Sequence, residues 1–167
     1  MTGVQTCALP ISLPFDETGF TKVKKEGTYY FIDTLGKEYQ LATDINQLDS
    51  SILALDLKDK NLENIPPLVF QQTQLQVLLL NDNPLTSLPA EIWKLGKLTS
   101  LHLGHNRLTS LPTEIWQLDK LTSLDLSYNS LTSLPSEIGQ LDKLTYLGLS
   151  NNKLTSLPAG IDRKSVV

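Results

Sequence analysis

The spacing of hydrophobic residues repeats along most of the chain. From residue 52 onward, leucines and isoleucines return every 23 residues, in copies that begin at Ile52, Leu75, Leu98, Leu121 and Leu144. Each copy contains a short Leu-x-Leu run, and this alternation of inward and outward side chains is typical of a β-strand. A Leu-Pro step follows in the later copies. Because proline pushes the preceding residue into an extended conformation, this step favours a short irregular or 3₁₀ turn over a regular helix.

The copies share a pattern that reads LxxLxLxxNxLxxLPxEIxxLxK. Its asparagine follows the last strand leucine by three positions, where its donor and acceptor can satisfy backbone groups as the chain leaves the strand. Stacked in register, these residues predict a buried polar ladder that consists of Asn83, Asn106, Asn129 and Asn152. One copy cannot bury its own leucines, so neighbouring copies must stack to form a continuous core.

This pattern resembles the leucine-rich repeat family, in its short 23-residue form known from bacterial intracellular proteins and cytoplasmic signalling scaffolds. The resemblance covers residues 52–161. It implies an α/β repeat solenoid, a curved arc with a parallel β-sheet on the concave face and short irregular or 3₁₀ turns on the convex face. The recurring leucine, asparagine, proline and isoleucine positions are then scaffold. The first copy is weaker, since Lys60 stands where the later copies have asparagine.

Residues 13–43 precede the solenoid and are predicted to form a small β hairpin. Two alternating runs, Phe20 to Lys24 and Tyr29 to Asp33, flank one turn, and a second turn is expected over residues 33–36. The segment resembles a degenerate WG repeat, with tyrosines where that repeat has its Trp-Gly dipeptide. Residues 44–48 predict a short helix capped by Asp44, which begins the solenoid unit of residues 44–161 as an N-terminal lid.

Both ends of the chain resemble translated sequencing adapters. Residues 3–12 read GVQTCALPIS, and residues 162–167 read DRKSVV. Codons for residues 8–11 can be written as the reverse complement of codons for residues 162–165, as expected of opposite adapters around one insert. We therefore interpret residues 1–12 and 162–167 as adapter-derived and set them aside. The natural start and end, with any signal peptide or further domain, are then expected to be missing.

Composition narrows the class of protein further. The 34 leucines, against 9 isoleucines and 6 valines, indicate one packing arrangement repeated several times. The net charge of −4 argues against a general nucleic-acid binder, which needs a basic face. The longest clean apolar run, Val77 to Leu80, is far shorter than the roughly 18 residues of a membrane helix. The single cysteine, Cys7, excludes a disulfide within the chain.

Few residues in the sequence are of the types that catalyse reactions or bind metal ions. His102 and His105 are the two histidines, and there is no third to complete a metal site. Ser100, His102 and Asp125 are the residue types of a catalytic triad, but no nucleophile-elbow sequence accompanies them. A GxxxxGK[ST] phosphate loop is also absent from the sequence. The sequence therefore predicts no enzymatic activity, no cofactor and no bound metal.

The positions between the inward leucines differ from copy to copy and predict a binding surface. Aromatic and charged side chains on a broad concave face suit an interface with a protein partner. The predicted partner-binding residues are Val77, Leu79, Asp82, His102, His105, Asp125, Tyr128, Tyr146 and Asn151. The acidic residues of this face favour a basic partner. Trp93 and Trp116 fall on the convex side, where they are interpreted as packing at the core edge or, alternatively, as a second contact surface.

We predict a non-catalytic module for protein–protein interaction, with neither nucleic acid nor a membrane as its partner. The alternative is the recognition arm of a truncated larger signalling enzyme, such as a GTPase or a kinase, and a phosphate-binding loop downstream would favour it. A secreted adhesin is a third interpretation, which requires a signal peptide upstream. Cytoplasmic localisation is implied by the family resemblance alone.

Overall fold

The computed structural model describes residues 18–158, residue 161 and the backbone of residues 165–166. In this part of the chain, nine strands form one sheet in chain order. Strands β1 to β3 pair antiparallel, whereas β3 to β9 pair parallel. The strands are β1 Phe20–Lys25, β2 Thr28–Asp33, β3 Glu38–Ala42, β4 Ala54–Asp56, β5 Val77–Leu79, β6 Ser100–His102, β7 Ser123–Asp125, β8 Tyr146–Gly148 and β9 Ser165–Val166.

Strands β4 to β8 are held at the register that the 23-residue spacing predicts. Their central residues are paired in one row, Leu55, Leu78, Leu101, Leu124 and Leu147. A slip of one residue would turn every leucine of a strand to the opposite face, so burial of one face fixes this register strongly. The solenoid with a parallel sheet is confirmed.

Short 3₁₀ helices close the copies on the convex side, as the Leu-Pro steps predict. They span Ile45–Gln47, Pro67–Gln71, Ala90–Lys94, Thr113–Gln117 and Ser136–Gln140. The last three begin directly after Pro89, Pro112 and Pro135, each in an extended conformation. The first begins after Asp44, whose carboxylate accepts a hydrogen bond of 2.8 Å from the Asn46 backbone amide. The predicted cap is therefore present.

The leucines form one continuous buried core from Ala42 to Ile161. Ile45 and Leu48, at the predicted lid, are partly buried against it. Burial of a leucine side chain contributes about 1.5–3 kcal/mol. Because each copy buries its leucines against those of its neighbours, the copies are stable only as a stack.

The asparagine ladder ties each copy to the one before it. Asn106 Oδ1 accepts a hydrogen bond of 3.1 Å from the Leu85 amide, and its Nδ2 donates to the carbonyls of Leu80 and Leu103 at 3.0 and 2.9 Å. Asn129 repeats this arrangement one copy later. In the weaker first copy, the Lys60 amide donates to Asn83 Oδ1 at 3.1 Å. The predicted ladder is confirmed.

The N-terminal unit contains the expected hairpin and a third strand that was not expected. Glu26 and Gly27 both have positive φ, 48° and 88°, a geometry that suits the tight turn between β1 and β2. At the second turn, the Asp33 carboxylate accepts from the amides of Leu35 and Lys37, each at 2.9 Å. Strand β3 then pairs with β2 on one side and with β4 on the other. The hairpin and the solenoid therefore share one sheet.

A second buried cluster lies where these two parts meet. It contains three aromatic residues of β1 to β3 and four residues from the start of the parallel sheet, Phe20, Phe31, Tyr39, Leu41, Ala54, Val77 and Leu79. The Phe20 ring is 5.4 Å from the Phe31 ring and 5.8 Å from the Tyr39 ring, measured between centroids. The aromatic residues of the N-terminal unit thus cover the first part of the concave face.

Three interpretations of the sequence remain predictions. The assignment of residues 1–12 to adapter sequence falls outside the described residues. The assignment of residues 162–167 to adapter sequence also stays a prediction. Two residues of this segment form β9, which pairs with β8 so that Val166 lies opposite Leu147. The resemblance of β1 and β2 to a WG repeat also stays a prediction.

Candidate functional site

Three columns of side chains cross the concave face of the solenoid. The first column is Ala54, Val77, Ser100, Ser123 and Tyr146, and the second is Asp56, Leu79, His102, Asp125 and Gly148. Strand pairing aligns both as the 23-residue spacing predicts. A third column, here the rim column, lies just past the strands and contains Asp59, Asp82, His105, Tyr128 and Asn151.

The prediction that Val77, Leu79 and His102 face a partner is wrong. Val77 and Leu79 are fully buried, because they belong to the cluster formed with the aromatic residues of β1 to β3. His102 is 4% exposed, lies beside Leu79 in the sheet and hydrogen-bonds to Ser100 Oγ at 2.8 Å through Nε2. Besides Asp56, the accessible side chains of the two strand columns are therefore those of the later copies, Ser123, Asp125 and Tyr146.

The Ser100–His102 pair has the contact of a nucleophile and its base, but it is not placed for catalysis. Both residues are buried, so a substrate in solvent does not reach the serine hydroxyl. Within residues 18–158, 161 and 165–166, no group of three or more His, Cys, Asp or Glu side chains is placed to hold a metal ion. The described part of the chain also contains no helix of the length and apolarity that crossing a membrane requires.

The rim column is exposed and has an unusual backbone. Asp82, His105, Tyr128 and Asn151 all have left-handed φ angles, between 52° and 58°. Asparagine and aspartate adopt this conformation readily, whereas other side chains incur about 1–2 kcal/mol. His105 and Tyr128 stack face to face there, with centroids 4.1 Å apart and planes 11° apart. Asp59 has the same φ, so the conformation belongs to the turn after each strand, and at Tyr128 this turn bears a large aromatic side chain.

Side-chain oxygens converge over Gly148, next to the rim column. A Cβ atom at that position would lie 2.5 Å from Asp125 Oδ1, 2.8 Å from Ser127 Oγ and 3.1 Å from Tyr146 Oη. The Ser127 amide donates to Asp125 Oδ1 at 3.0 Å and fixes the carboxylate. A side chain at this position would therefore displace the carboxylate of Asp125 or the Ser127 hydroxyl.

The other carboxylate oxygen of Asp125 lies over a second glycine. A Cβ atom at Gly104 would lie 2.7 Å from Asp125 Oδ2 and 3.2 Å from Asn81 Nδ2. The side-chain amide nitrogen of Asn81 and the carboxylate of Asp125 therefore both lie close to Gly104. We call this group the Asp125 niche, and it contains Asn81, Gly104, Asp125, Ser127, Tyr146 and Gly148.

The niche combines a buried polar group with exposed ones. Asn81 is 3% exposed, and its Oδ1 has no hydrogen-bond partner. Tyr146 is 38% exposed, while burial of its hydroxyl, reinforced by the charge of Asp125, raises the pKa of Tyr146. Sequence analysis identified Asp125 and Tyr146 and missed Asn81 and Ser127. Continuing the strand alternation two residues further would have placed both on the concave face.

The concave columns carry several carboxylates, Asp56, Asp59, Asp82 and Asp125. In the part of the chain that the structure describes, there is one ion pair. It joins Lys25 and Glu38 in the N-terminal unit. None of the four concave aspartates is in an ion pair there. Their charge is thus available to attract a basic group from outside.

The convex side presents two tryptophans from adjacent 3₁₀ helices. Trp93 is 45% exposed and Trp116 40% exposed, whereas Phe70 is buried at the corresponding position of the first copy. Each tryptophan is therefore partly packed and partly open to solvent. A groove of about 430 Å³ lies between the 3₁₀ helices Pro67–Gln71 and Ala90–Lys94, with Ile65, Phe70 and Pro89 in its lining.

Stacked 23-residue copies with a parallel sheet, an asparagine ladder and 3₁₀ turns define a leucine-rich repeat solenoid. The chain belongs to the leucine-rich repeat family, since the family model described as Leucine rich repeat matches residues 50–108 and 96–154. Domains of this family generally mediate protein–protein interaction and are typically non-enzymatic. A comparison with curated proteins finds no match.

Solved structures of two bacterial proteins are similar to this chain. A leucine-rich repeat protein of Leptospira interrogans is 36% identical, with a TM-score of 0.65, over 76% of this chain and 39% of the other. Internalin C2 from Listeria monocytogenes is 26% identical, with a TM-score of 0.62, over 71% of this chain and 52% of the other. The chain therefore spans less than two thirds of each of these proteins.

Proposed function

We propose that this chain is a non-catalytic interaction module that binds a protein partner on the C-terminal part of its concave face. The observation that carries the proposal is the exposed aromatic group of His105, Tyr128 and Tyr146 around the half-buried Asp125. Aromatic side chains beside a charge are the residues that dominate protein interfaces. Val77, Leu79 and His102 do not contribute, because they are buried.

Backbone strain in the rim column supports the same surface. Asn151 occupies the left-handed position of the last copy, and asparagine adopts this conformation at little cost. Tyr128 and His105 hold the same conformation with larger side chains, and their stacked rings are exposed to solvent rather than buried in the core. Stability alone would favour asparagine, so the aromatic residues point to a contact with a partner.

Charge supports a basic partner, because the four concave aspartates are not neutralised by ion pairs in the described part of the chain. The other interpretation, a recognition arm of a larger signalling enzyme, stays a prediction. Cytoplasmic localisation rests on the family resemblance and also stays a prediction.

Capture of partner proteins from a bacterial lysate tests the proposal. The concave variant combines Tyr128→Asn and Tyr146→Ser, which are residues that sibling copies already carry in the same columns, at Asn151 and Ser123. The scaffold therefore tolerates both changes. Partners that bind the wild-type chain, identified by mass spectrometry and measured by calorimetry, should bind the variant at least about tenfold more weakly, since hot-spot residues contribute 2 kcal/mol or more.

The matched control is Trp116→Gly on the convex side, because the next copy carries Gly139 at that position. Binding by this variant should equal that of the wild-type chain. Loss of binding in the convex variant, with full binding in the concave variant, would place the partner on the other face and refute the proposal.

A further inference from the structure

We propose that the Asp125 niche is a seat for the guanidinium group of an arginine on a basic protein partner. This inference rests on the proposed function of the concave face and names the chemistry of its central contact. It is carried by the convergence of side-chain oxygens above Gly148 and, in the part of the chain that the structure describes, by the absence of an ion pair to Asp125.

The oxygens of the niche match the donors of a guanidinium group. Asp125 Oδ1, Ser127 Oγ and Tyr146 Oη all approach one point above Gly148, within 3.1 Å of it. An arginine side chain has five N–H donors in a planar fork and no acceptor. A carboxylate flanked by two hydroxyl oxygens therefore suits arginine better than lysine, whose ammonium is a single compact charge.

Asn81 lines the niche on the side of Gly104. Its Nδ2 and Asp125 Oδ2 lie 3.2 and 2.7 Å from the point that a Cβ of Gly104 would occupy. This side of the niche is buried, since Asn81 is 3% exposed. An incoming guanidinium group would therefore contact Asp125 from the side of Gly148, where Ser127 and Tyr146 contribute their oxygens.

The surroundings favour a flat cation with an apolar stem. Tyr146 and Tyr128 are both partly exposed beside the niche, and their ring faces suit contacts with a guanidinium group. In the described part of the chain, no lysine or arginine forms an ion pair with Asp125. The seat is therefore open to a cation supplied by a partner, and the partial burial of Asp125 strengthens that attraction because water screens the carboxylate less.

A titration followed by NMR tests the seat without knowledge of the partner. The probe is arginine amide, and the control ligand is citrulline amide, whose side chain has nearly the same shape but no charge. Backbone amide signals of Gly104, Ser127 and Gly148 should shift in a saturable manner with arginine amide and not with citrulline amide. Asp125→Asn should weaken arginine binding at least about tenfold, because the charge-assisted hydrogen bonds are lost.

A second variant separates geometry from charge. Gly148→Ala keeps the charge of Asp125 but displaces its carboxylate, so it should also weaken arginine binding, whereas Asp119→Asn on the exposed surface should not. Equal shifts with both ligands, or unchanged binding by Asp125→Asn, would overturn the inference. So would the absence of a saturable shift in the wild-type chain.

The two proposals can fail separately. If partner capture depends on Tyr128 and Tyr146 while arginine amide does not bind, the concave interface stands and the arginine seat is wrong. If arginine amide binds the niche while partner capture is insensitive to the concave variant, the seat exists and the proposed interface is wrong.

Discussion

Asn106 shows how one side chain joins neighbouring copies. Its amide group bonds to backbone groups of two consecutive copies, the Leu85 amide and the carbonyls of Leu80 and Leu103. Asn106 is also buried, so no water replaces these bonds when they are lost. Each ladder asparagine therefore contributes to contact between copies as well as to its own turn.

Asn106→Ala should lower the free energy of unfolding by about 2 kcal/mol or more, because several buried backbone groups lose their partner. Urea unfolding followed by circular dichroism measures the change. Thr109→Ala, an exposed residue of the same copy, is the control and should remain within about 0.5 kcal/mol of the wild-type chain. A similarly small effect of Asn106→Ala would contradict the structural role of the ladder.

Strands β1 to β3 cover part of the concave face, so they reduce the surface that a partner can contact. Tyr39, on β3, packs with Phe20 and donates a hydrogen bond of 3.0 Å to Asp33 Oδ2. Burial raises the pKa of Tyr39 well above its ordinary value, and the hydrogen bond and the charge of Asp33 raise it further. The folded chain thus holds this hydroxyl in its neutral form.

The raised pKa of Tyr39 predicts a loss of stability at high pH. An unfolded tyrosine ionises near pH 10, whereas the folded one does not, so the stabilisation is complete below about pH 10 and declines as the pH rises beyond it. The decline reaches at most about 1.4 kcal/mol per pH unit. Urea unfolding of Tyr39→Phe between about pH 9 and pH 11 should show a shallower decline than the wild-type chain.

Tyr29→Phe is the matched control, since Tyr29 is an exposed residue of the same unit. Its decline should follow that of the wild-type chain. If Tyr39→Phe follows it as well, the ionisation of Tyr39 does not contribute to alkaline unfolding.

The same element explains which parts of the structure were predictable. The 23-residue spacing determined strands β4 to β8, their register and the asparagine ladder, because these features depend on contacts between equivalent positions. The cover over Val77 and Leu79 depends on Phe20, Phe31 and Tyr39, which belong to no repeat. A pattern within the copies contains no information on such a contact. The short alternation of residues 38–42 likewise did not single out β3.

The candidate site was predictable in part for the same reason. The 23-residue spacing placed Asp125, Tyr128 and Tyr146 on the concave face. The Asp125 niche, however, depends on the position of the Asp125 carboxylate. That position is set by the missing side chains of Gly104 and Gly148, two residues in different columns and different copies. Their joint effect arises only when the copies are stacked.

The molecule as a whole is a stack whose length is set by the number of copies. The pairing of the strand leucines and the asparagine ladder recur at the same spacing, so removal of one complete copy should leave matching surfaces. Leu144 and its copy would then pack on the copy that begins at Leu98, since both have the same inward leucines. The N-terminal unit, which contacts only the first strands of the solenoid through its buried cluster, would keep its place.

Deletion of residues 121–143 should therefore give a folded, less stable chain. Its urea unfolding should remain a single transition with a smaller m-value, because less surface is exposed on unfolding. Binding of arginine amide should disappear, because the deletion removes Asp125 and Ser127. A chain that loses cooperative unfolding would show that the fourth copy is needed for more than length.

Strand β1 is the outermost of the described strands, and it carries Lys22, Lys24 and Lys25, all exposed. The ammonium groups of Lys22 and Lys24 lie 5.0 and 5.1 Å from the centre of the Tyr29 ring on the neighbouring strand. A second copy that approached with its own β1 to extend the sheet would bring like charges together and strip them of water. The row of lysines thus disfavours the association of two chains through their β1 strands.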